Sequence, residues 1–504
     1  MKAMGYVKRI LFAVFLCLAC GNMYVFACTA VYVGKDVSTD GSTIIARSED
    51  QSVGAYNKLF LVVPRVENTP GRTLTDVNGF SMPLPATTYK YTMIPDNCDA
   101  GDGLYPASCS NECGVSVTGT VSAAPNDKVR QADPFVEQGL REASLTAAVA
   151  ACVTTAREGV EKLTSLVETY GSAEGNIVMI ADQQEAWLIE IYSGHQWAAQ
   201  KMPTNKVAVF GNQFMLGTVD ATDKENFLRS KDLFTLADQF GFAKRINGKV
   251  HLALTYGAPI SDYSNTRSWG GHHLLAPSTD GGPYNHDTFY ELFYTPDHKV
   301  SPLEVMDVLR YRYEGTNLDA SLPQNKWTVR TVGVERQSEV HVLQIKEEYP
   351  RACSALQWLC MGNAEHSVFI PAFSGITETH PAYQVEGKPY DDKGAYWKFK
   401  RICALAEQSR FQYGQGVKSA WKQYEKNSYH DMLQAEKEMI ALYAKDPTVG
   451  ENYVTKLGMD SAQKALAEAD TLYVDLLTYI MNTTGMVKPK LDKIGPFVYQ
   501  DNNK

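Results

Sequence analysis

The chain has no excess of basic residues. Its 57 Asp and Glu outnumber 48 Lys and Arg, for a formal charge of −9 at neutral pH. That balance argues against nucleic acid as a partner, because phosphate binding needs a basic face. No apolar run is long enough for a comfortable membrane span. The longest, ILFAVFLCLAC near the start, falls short of the roughly 20 residues a span needs. There is no CxxC pair to support a structural zinc site, and no HExxH helix for a metalloprotease. GVSVT misses the G-x-S-x-G elbow because Thr118 replaces the last glycine. Gly248-Lys249 is no phosphate loop, since Ala243 stands where the first glycine belongs. His272 and His273 are adjacent, cannot both face one metal from a regular helix or strand, and read as loop histidines. No cofactor and no metal are expected. Internal repeats and low-complexity segments are also lacking.

What is present is a 504-residue chain of ordinary globular composition, 44% hydrophobic and 21% charged, with room for two or more domains. Met1 to Ala27 reads as a signal peptide: Lys2, Lys8 and Arg9, then the apolar run, then Val25 and Ala27 as small residues before a cut. Its removal takes the charge from −9 to −12 and predicts an exported protein, periplasmic or secreted. Lipid attachment at Cys20 or at Cys28 is a rival reading. Cys17 and Phe26 sit where a lipidation motif has other residues, and lipid on Cys28 would block both its amine and its thiol. Seven cysteines remain after Cys17, Cys20 and Cys28 are set aside, an odd number that cannot all pair. Cys98 with Cys109 and Cys353 with Cys360 are the candidate disulfides of an oxidising compartment. Cys152 and Cys403 lie in helical patterns and read as buried thiols.

Cys28 follows the cut point directly. A cysteine at a free N-terminus carries a thiol and an α-amine on adjacent carbons, with ordinary pKa values of about 8.5 and about 7.7–8.0. Proton exchange between them near neutral pH is nearly balanced, so one residue supplies both nucleophile and base. The bland alternative is a buried small hydrophobe or a disulfide partner.

TAVYVGKD and TIIARSED bracket Asp40-Gly41 and predict a hairpin. Its return strand brings Arg47 and Asp50, 19 and 22 residues beyond Cys28, near the thiol. An arginine there favours thiolate, and a carboxylate can hold the ammonium or the substrate. A solvated ion pair at a strand end is the competing reading. Asn212, at the end of VAVFGNQ, is either an oxyanion donor or a turn cap. Arg267, in SNTRSWGG, is either a substrate carboxylate clamp or a surface charge. LFLVVPR and GVSVTGT are strand candidates, and the Pro-, Gly- and Asn-rich stretch 66–110 reads as long loops walling a site. Residues 144–170 carry helical periodicity ended by Gly171. NIVMIAD, EAWLIEIYSG, QWAAQKMP and KVAVFGNQ read as an antiparallel meander. VRTVGVER, EVHVLQI and VFIPAF are later strand candidates. From about Tyr396 to Met481 the pattern is helical.

From Cys28 to about Trp397 the chain resembles the exported cysteine dipeptidases of the N-terminal-nucleophile (Ntn) hydrolase superfamily, relatives of choloylglycine hydrolases and penicillin V acylases. The likeness is carried by CTAVYVGKDVSTDGSTIIARSED, NECGVSVTGT, LTAAVAACVTTAREGVEKLTSLVETYG, IADQQEAWLIEIYSGHQWAAQKMP, VFGNQF and HSVFIPAFSG, in that order. It implies an α+β fold, the αββα sandwich of two antiparallel sheets between helical layers. The catalytic domain would occupy 28–395 and a mainly helical C-terminal region 396–504, packed on it or completing it. It implies an N-terminal cysteine amidohydrolase without a metal, acting on small peptides. The family's cysteine and R-x-x-D pattern fall on Cys28, Arg47 and Asp50, its strand-end asparagine on Asn212, and its later arginine on Arg267. A backbone N–H near Thr120 and Val121 is the expected second oxyanion donor. The alternative activity is that of an acylase cleaving a conjugated bile acid or penicillin V with the same cysteine. A homo-oligomer stays open.

Overall fold

A computed structural model describes residues 27–97 and 101–500. The expected leader, apart from Ala27, lies outside the described residues, as do Cys17, Cys20 and Cys98. Two antiparallel sheets dominate. The first is built from β1 (Thr29–Val33), β2 (Thr43–Asp50), β10 (Val207–Phe210), β12 (Gln337–Ile345), β13 (Ala355–Met361) and β14 (Ile370–Phe373), in the order β10-β1-β2-β12-β13-β14. The second holds β3 (Leu61–Val63), β4 (Tyr91–Met93), β5 (Ser108–Asn111), β6 (Ser116–Ser122), β7 (Asn176–Ala181), β8 (Ala186–Ile191), β9 (Trp197–Lys201) and β11 (Phe227–Arg229). Their order is β11-β9-β8-β7-β6-β5-β4-β3.

The alternation of side chains along each strand builds the layers. In β1, Ala30 and Tyr32 point inward with Ile177 and Met179 of β7, forming the core between the sheets. Val31 and Val33 point the other way, into a core shared with α4 (Pro302–Leu309), α5 (Ala395–Gln408), α6 (Gln415–Lys445) and α7 (Pro447–Thr483). Val178 and Ile180 of β7 meet α1 (Glu142–Ala150) and α2 (Ala156–Tyr170) on the far side. Strands buried on both faces therefore read as continuous apolar runs. The result is the αββα sandwich, with the C-terminal helices laid against its outer face.

Several sequence expectations change. The helical stretch 144–170 is two helices, because the Thr155 hydroxyl caps a fresh start by accepting the Glu158 N–H. The meander keeps three strands in one sheet, but its fourth, Val207–Phe210, crosses over to pair with β1. The stretch 66–110 is not all loop. It contributes β4 and β5 to the large sheet and forms two short hairpins, despite its turn-rich composition. VRTVGVER forms no strand. His272 and His273 are helical, on α3 (Asp262–Leu275), where His272 is buried between Asp280 and the Glu291 carbonyl. Cys353, in the turn just before β13, and Cys360, near the far end of that strand, are free thiols. At about 3.3 Å of rise per residue an extended strand holds such a pair roughly 20 Å apart, far beyond disulfide reach.

The helical layer is fastened by a buried ion pair. Arg310, ending α4, makes bidentate contact with Glu425 of α6 at 2.8–3.0 Å, and Glu425 also accepts the Phe369 N–H at 3.0 Å. Losing one partner strands the other charge in the core. Arg310→Ala should therefore lower unfolding free energy by about 3–5 kcal/mol. The pairwise replacement Arg310→Met with Glu425→Leu should cost less. Chemical denaturation of both variants checks this, and equal losses would refute it.

Candidate active site

The hairpin explains how Arg47 reaches Cys28. In the β1–β2 register Ala30 faces Arg47 directly. Cys28 lies two residues before Ala30 and so on the same sheet face. Arg47 Nη2 donates to Cys28 Sγ at 3.0 Å and to Glu142 Oε1 at 2.9 Å. All three residues are buried. Arg47 Nη1 reaches Glu49 and Glu339 at only 3.8 and 4.0 Å, and neither it nor Nε makes a hydrogen bond. Burial alone would lower the Arg47 pKa; the thiol and the carboxylates of Glu142, Glu49 and Glu339 turn this into a net rise. Behind them Lys58 bridges Glu49 and Asp96 at 2.9 and 2.6 Å, and His341 links Thr118 to Glu339.

Asp50 does not contact the thiol. Its carboxylate pairs with Arg330, and its carbonyl accepts the Ala27 N–H at 3.0 Å. Arg330 Nη2 also donates to the Ala27 carbonyl at 3.4 Å. Ala27 is fully buried.

Asn212 sits just past β10. Its Oδ1 accepts from the Cys28 N–H at 3.2 Å and from Arg267 Nη2 at 2.8 Å, while its Nδ2 donates to the Ser122 carbonyl at 2.9 Å. Two donors on one side and a carbonyl on the other fix the amide's orientation. The loop after it is held by buried Glu190, which accepts the Met215 and Leu216 N–H groups. Arg267 is not a surface charge. It is fully buried, and its guanidinium donates to the Tyr263 carbonyl, the Cys28 carbonyl, Thr29 Oγ1, Asn212 Oδ1 and Ser264 Oγ. Gly211 makes room for it, since a Cβ there would lie 2.4 Å from the guanidinium carbon. Burial first, and then Arg330, pull the Arg267 pKa down to about 9.

With Ala27 attached, burial pushes the Cys28 thiol up to about 12; Arg47 opposes the rise, and Glu142, Asp50 and Glu49 add to it. With its nitrogen in that peptide bond the thiol stays protonated at neutral pH. A β-bulge between Gly119 and Val121 takes residue 120 out of the β6–β7 ladder, close to where Ser122 meets Asn212.

Of the residues picked from sequence, the structure places Cys28, Arg47, Asn212 and Arg267 in one connected set, with Asp50 joined through Arg330. Glu142, Ser122, Tyr263 and Arg330 were missed. Arg330 lay in a segment read as a strand, and nothing local distinguishes Glu142 from a helix-start acid. Among the described residues Glu365, His366 and Glu407 could hold a metal ion. Their carboxylates are already paired with Arg312 and Arg410.

The model of peptidase family C69 matches residues 27–426. Probable dipeptidase B of Streptococcus pyogenes serotype M1 is 34% identical over 466 residues, covering 90% of this chain and 93% of the relative. A probable dipeptidase of Latilactobacillus sakei is 31% identical, covering 76% and 81%. A dipeptidase of Bifidobacterium longum is 30% identical, covering 76% and 77%. Among solved structures, a variant of conjugated bile acid hydrolase from Clostridium perfringens aligns at 13% identity and a TM-score of 0.30, covering 69% of this chain and 92% of that one. The chain belongs to peptidase family C69.

Arg47→Met removes the guanidinium that donates to the thiol and leaves the acids in place. In protein beginning at Cys28, the pH midpoint for Cys28 alkylation by iodoacetamide should rise by about 1–3 units. An unchanged midpoint would show that Arg47 does not tune the thiol.

Proposed function

We propose that this C69 peptidase is an exported dipeptidase that becomes active when the 1–27 leader is removed and Cys28 acquires a free α-amine. The observation that carries this reading is the set of contacts at Cys28: Arg47 on the thiol at 3.0 Å and Asn212 on the backbone nitrogen at 3.2 Å, immediately after the expected cut. The dipeptidase names of its relatives support the substrate class.

In this reading the α-amine takes the thiol proton, and the thiolate attacks the dipeptide carbonyl. Asn212 Nδ2 and a backbone N–H of the bulged segment at 120–121 hold the oxyanion. The ammonium returns its proton to the leaving amine, so the C–N bond breaks and a thioester remains. The amine then draws a proton from water, which attacks the thioester and frees the first amino acid and the thiol. Arg267 positions the cysteine through its carbonyl and through Asn212. The new ammonium adds a positive charge on Cys28 itself, and removal of Ala27 exposes the site; both bring the thiol down from its raised value in the uncut chain.

Mass spectrometry of exported protein should find Cys28 as the first residue, with an unmodified amine. Cys28→Ala in the same processed form should lose at least about a thousandfold in dipeptide turnover. Full activity in that variant, or in protein still carrying residues 1–27, would refute the reading.

A further inference from the structure

Three arginines converge on one tyrosine beside Cys28. The Arg267 and Arg330 guanidinium carbons lie 5.2 and 5.6 Å from the centre of the Tyr263 ring, and Arg336 Nη2 donates to its hydroxyl at 3.0 Å. Among the described residues only one carboxylate, Asp50, forms an ion pair with any of the three, and it pairs with Arg330. Arg336 otherwise donates to the Gln51 carbonyl at 2.8 Å. The cluster thus holds more positive charge than it has partners for, in a place that is largely out of water. Tyr263 registers the excess: burial would raise its pKa, yet Arg330, Arg267 and Arg336 leave it lowered.

Tyr263, Arg330 and Arg336 line a cavity of about 550 Å³, within the range of small-ligand sites. The acids on its wall, Glu335 and Glu407, already lie against Arg312. Trp327 and Phe411, 82% and 73% exposed, give its lining apolar surface. The cavity shares Arg330 with the reacting centre, where that side chain donates to the carbonyl of Ala27, the group bonded to the Cys28 nitrogen. Ala27 therefore marks buried space that cleavage vacates, with an arginine donor already facing it.

We propose that this arginine cluster, with Arg336 and Arg330 as the donors, binds the free C-terminal carboxylate of the substrate and so restricts the enzyme to dipeptides. The inference rests on the dipeptidase reading above. In a dipeptide the carboxylate belongs to the residue next to the scissile bond, and consecutive Cα atoms are 3.80 Å apart. The carboxylate must then lie within one residue's length of the attacked carbonyl, and the proposal places it at Arg330, which already donates to the carbonyl bonded to the Cys28 nitrogen. A longer peptide would present a neutral amide at that point. It would leave the surplus charge unmatched and forgo charge-assisted bonds.

The test compares a neutral dipeptide with its C-terminal amide, using protein that begins at Cys28. The wild-type kcat/KM should favour the free acid by about tenfold to a hundredfold, mostly through KM. In Arg336→Gln this preference should collapse to within about threefold, and Arg336→Lys should recover part of it. A wild-type enzyme that cleaves acid and amide equally well would overturn the proposal without any variant. So would an Arg336→Gln enzyme that slows on both substrates and keeps the preference. Full turnover of an amide whose second residue is Glu would assign the cluster to side-chain acids and overturn it as well. Failure of the dipeptidase reading looks different: no dipeptide is cleaved by the wild-type protein with Cys28 free.

Discussion

A guanidinium buried against a thiol sets the terms for the rest of the interior. Arg47 has no water to turn to, so its charge has to be met by protein. Glu142 meets it directly at 2.9 Å, and Glu49 on the same strand and Glu339 on the adjacent strand approach it at 3.8 and 4.0 Å. Each of those acids then needs a partner of its own. Glu49 takes Lys58 and Gln51, and Glu339 takes His341, whose other ring nitrogen meets Thr118 on the opposite sheet. A polar seam thus crosses the largely apolar core between the sheets, joined by a second buried link from Thr92 to Gln357 at 2.9 Å. The seam ties the two sheets at a fixed spacing and orientation, which hydrophobic contacts alone do not specify so sharply.

In the proposed mechanism the same burial governs the timing of the chemistry. A thiol pushed up to about 12 is a poor nucleophile at neutral pH, and the contact with Arg47 does not overcome desolvation together with three nearby acids. In the proposed mechanism the missing element is a positive charge closer than Arg47, and the freed α-nitrogen of Cys28 supplies it. As an amide that nitrogen is neutral and rests on Asn212 Oδ1; as an amine it becomes basic in the same place. In the proposed mechanism Asn212 therefore has a holding task before cleavage and an oxyanion task after it. Its two faces suit these tasks: an acceptor toward Cys28 and Arg267, and a donor group toward Ser122.

Local signals made much of this visible in the sequence, and long-range packing hid the rest. The hairpin around Asp40-Gly41 was enough to relate Arg47 to Cys28, because strand register converts a spacing of 19 residues into a diagonal neighbour on one face. The alternating runs pointed to antiparallel sheets, and the late helical period pointed to the outer layer. The crossover of Val207–Phe210 to the other sheet left no local trace, since an apolar strand serves either sheet equally well. Strands β4 and β5 were obscured by the prolines and glycines of the hairpins around them. Arg267 was ambiguous for a physical reason: its environment is made by β1, by Asn212 and by the space at Gly211, none of which neighbours it in sequence. Arg330 and Glu142 join the site through the same kind of distant contact.

The arginines around Cys28 divide into those whose donors are used up and those with capacity left. Arg267 spends its guanidinium on protein acceptors and so can only position. Arg47 is fully buried and directed at the thiol and Glu142, so its influence is electrostatic and reaches the reacting sulfur. Arg330 and Arg336 differ in facing a cavity, and Arg330 already holds the carbonyl of Ala27, which the proposed cleavage would remove. Lysine would not serve in the same way. An ammonium is a compact point charge, whereas the planar guanidinium can lie over Tyr263 and still direct several N–H groups outward. One residue type thus fixes the backbone of Cys28, biases its protonation and, in the proposed reading, keeps an unmatched positive charge where an anionic chain end would arrive.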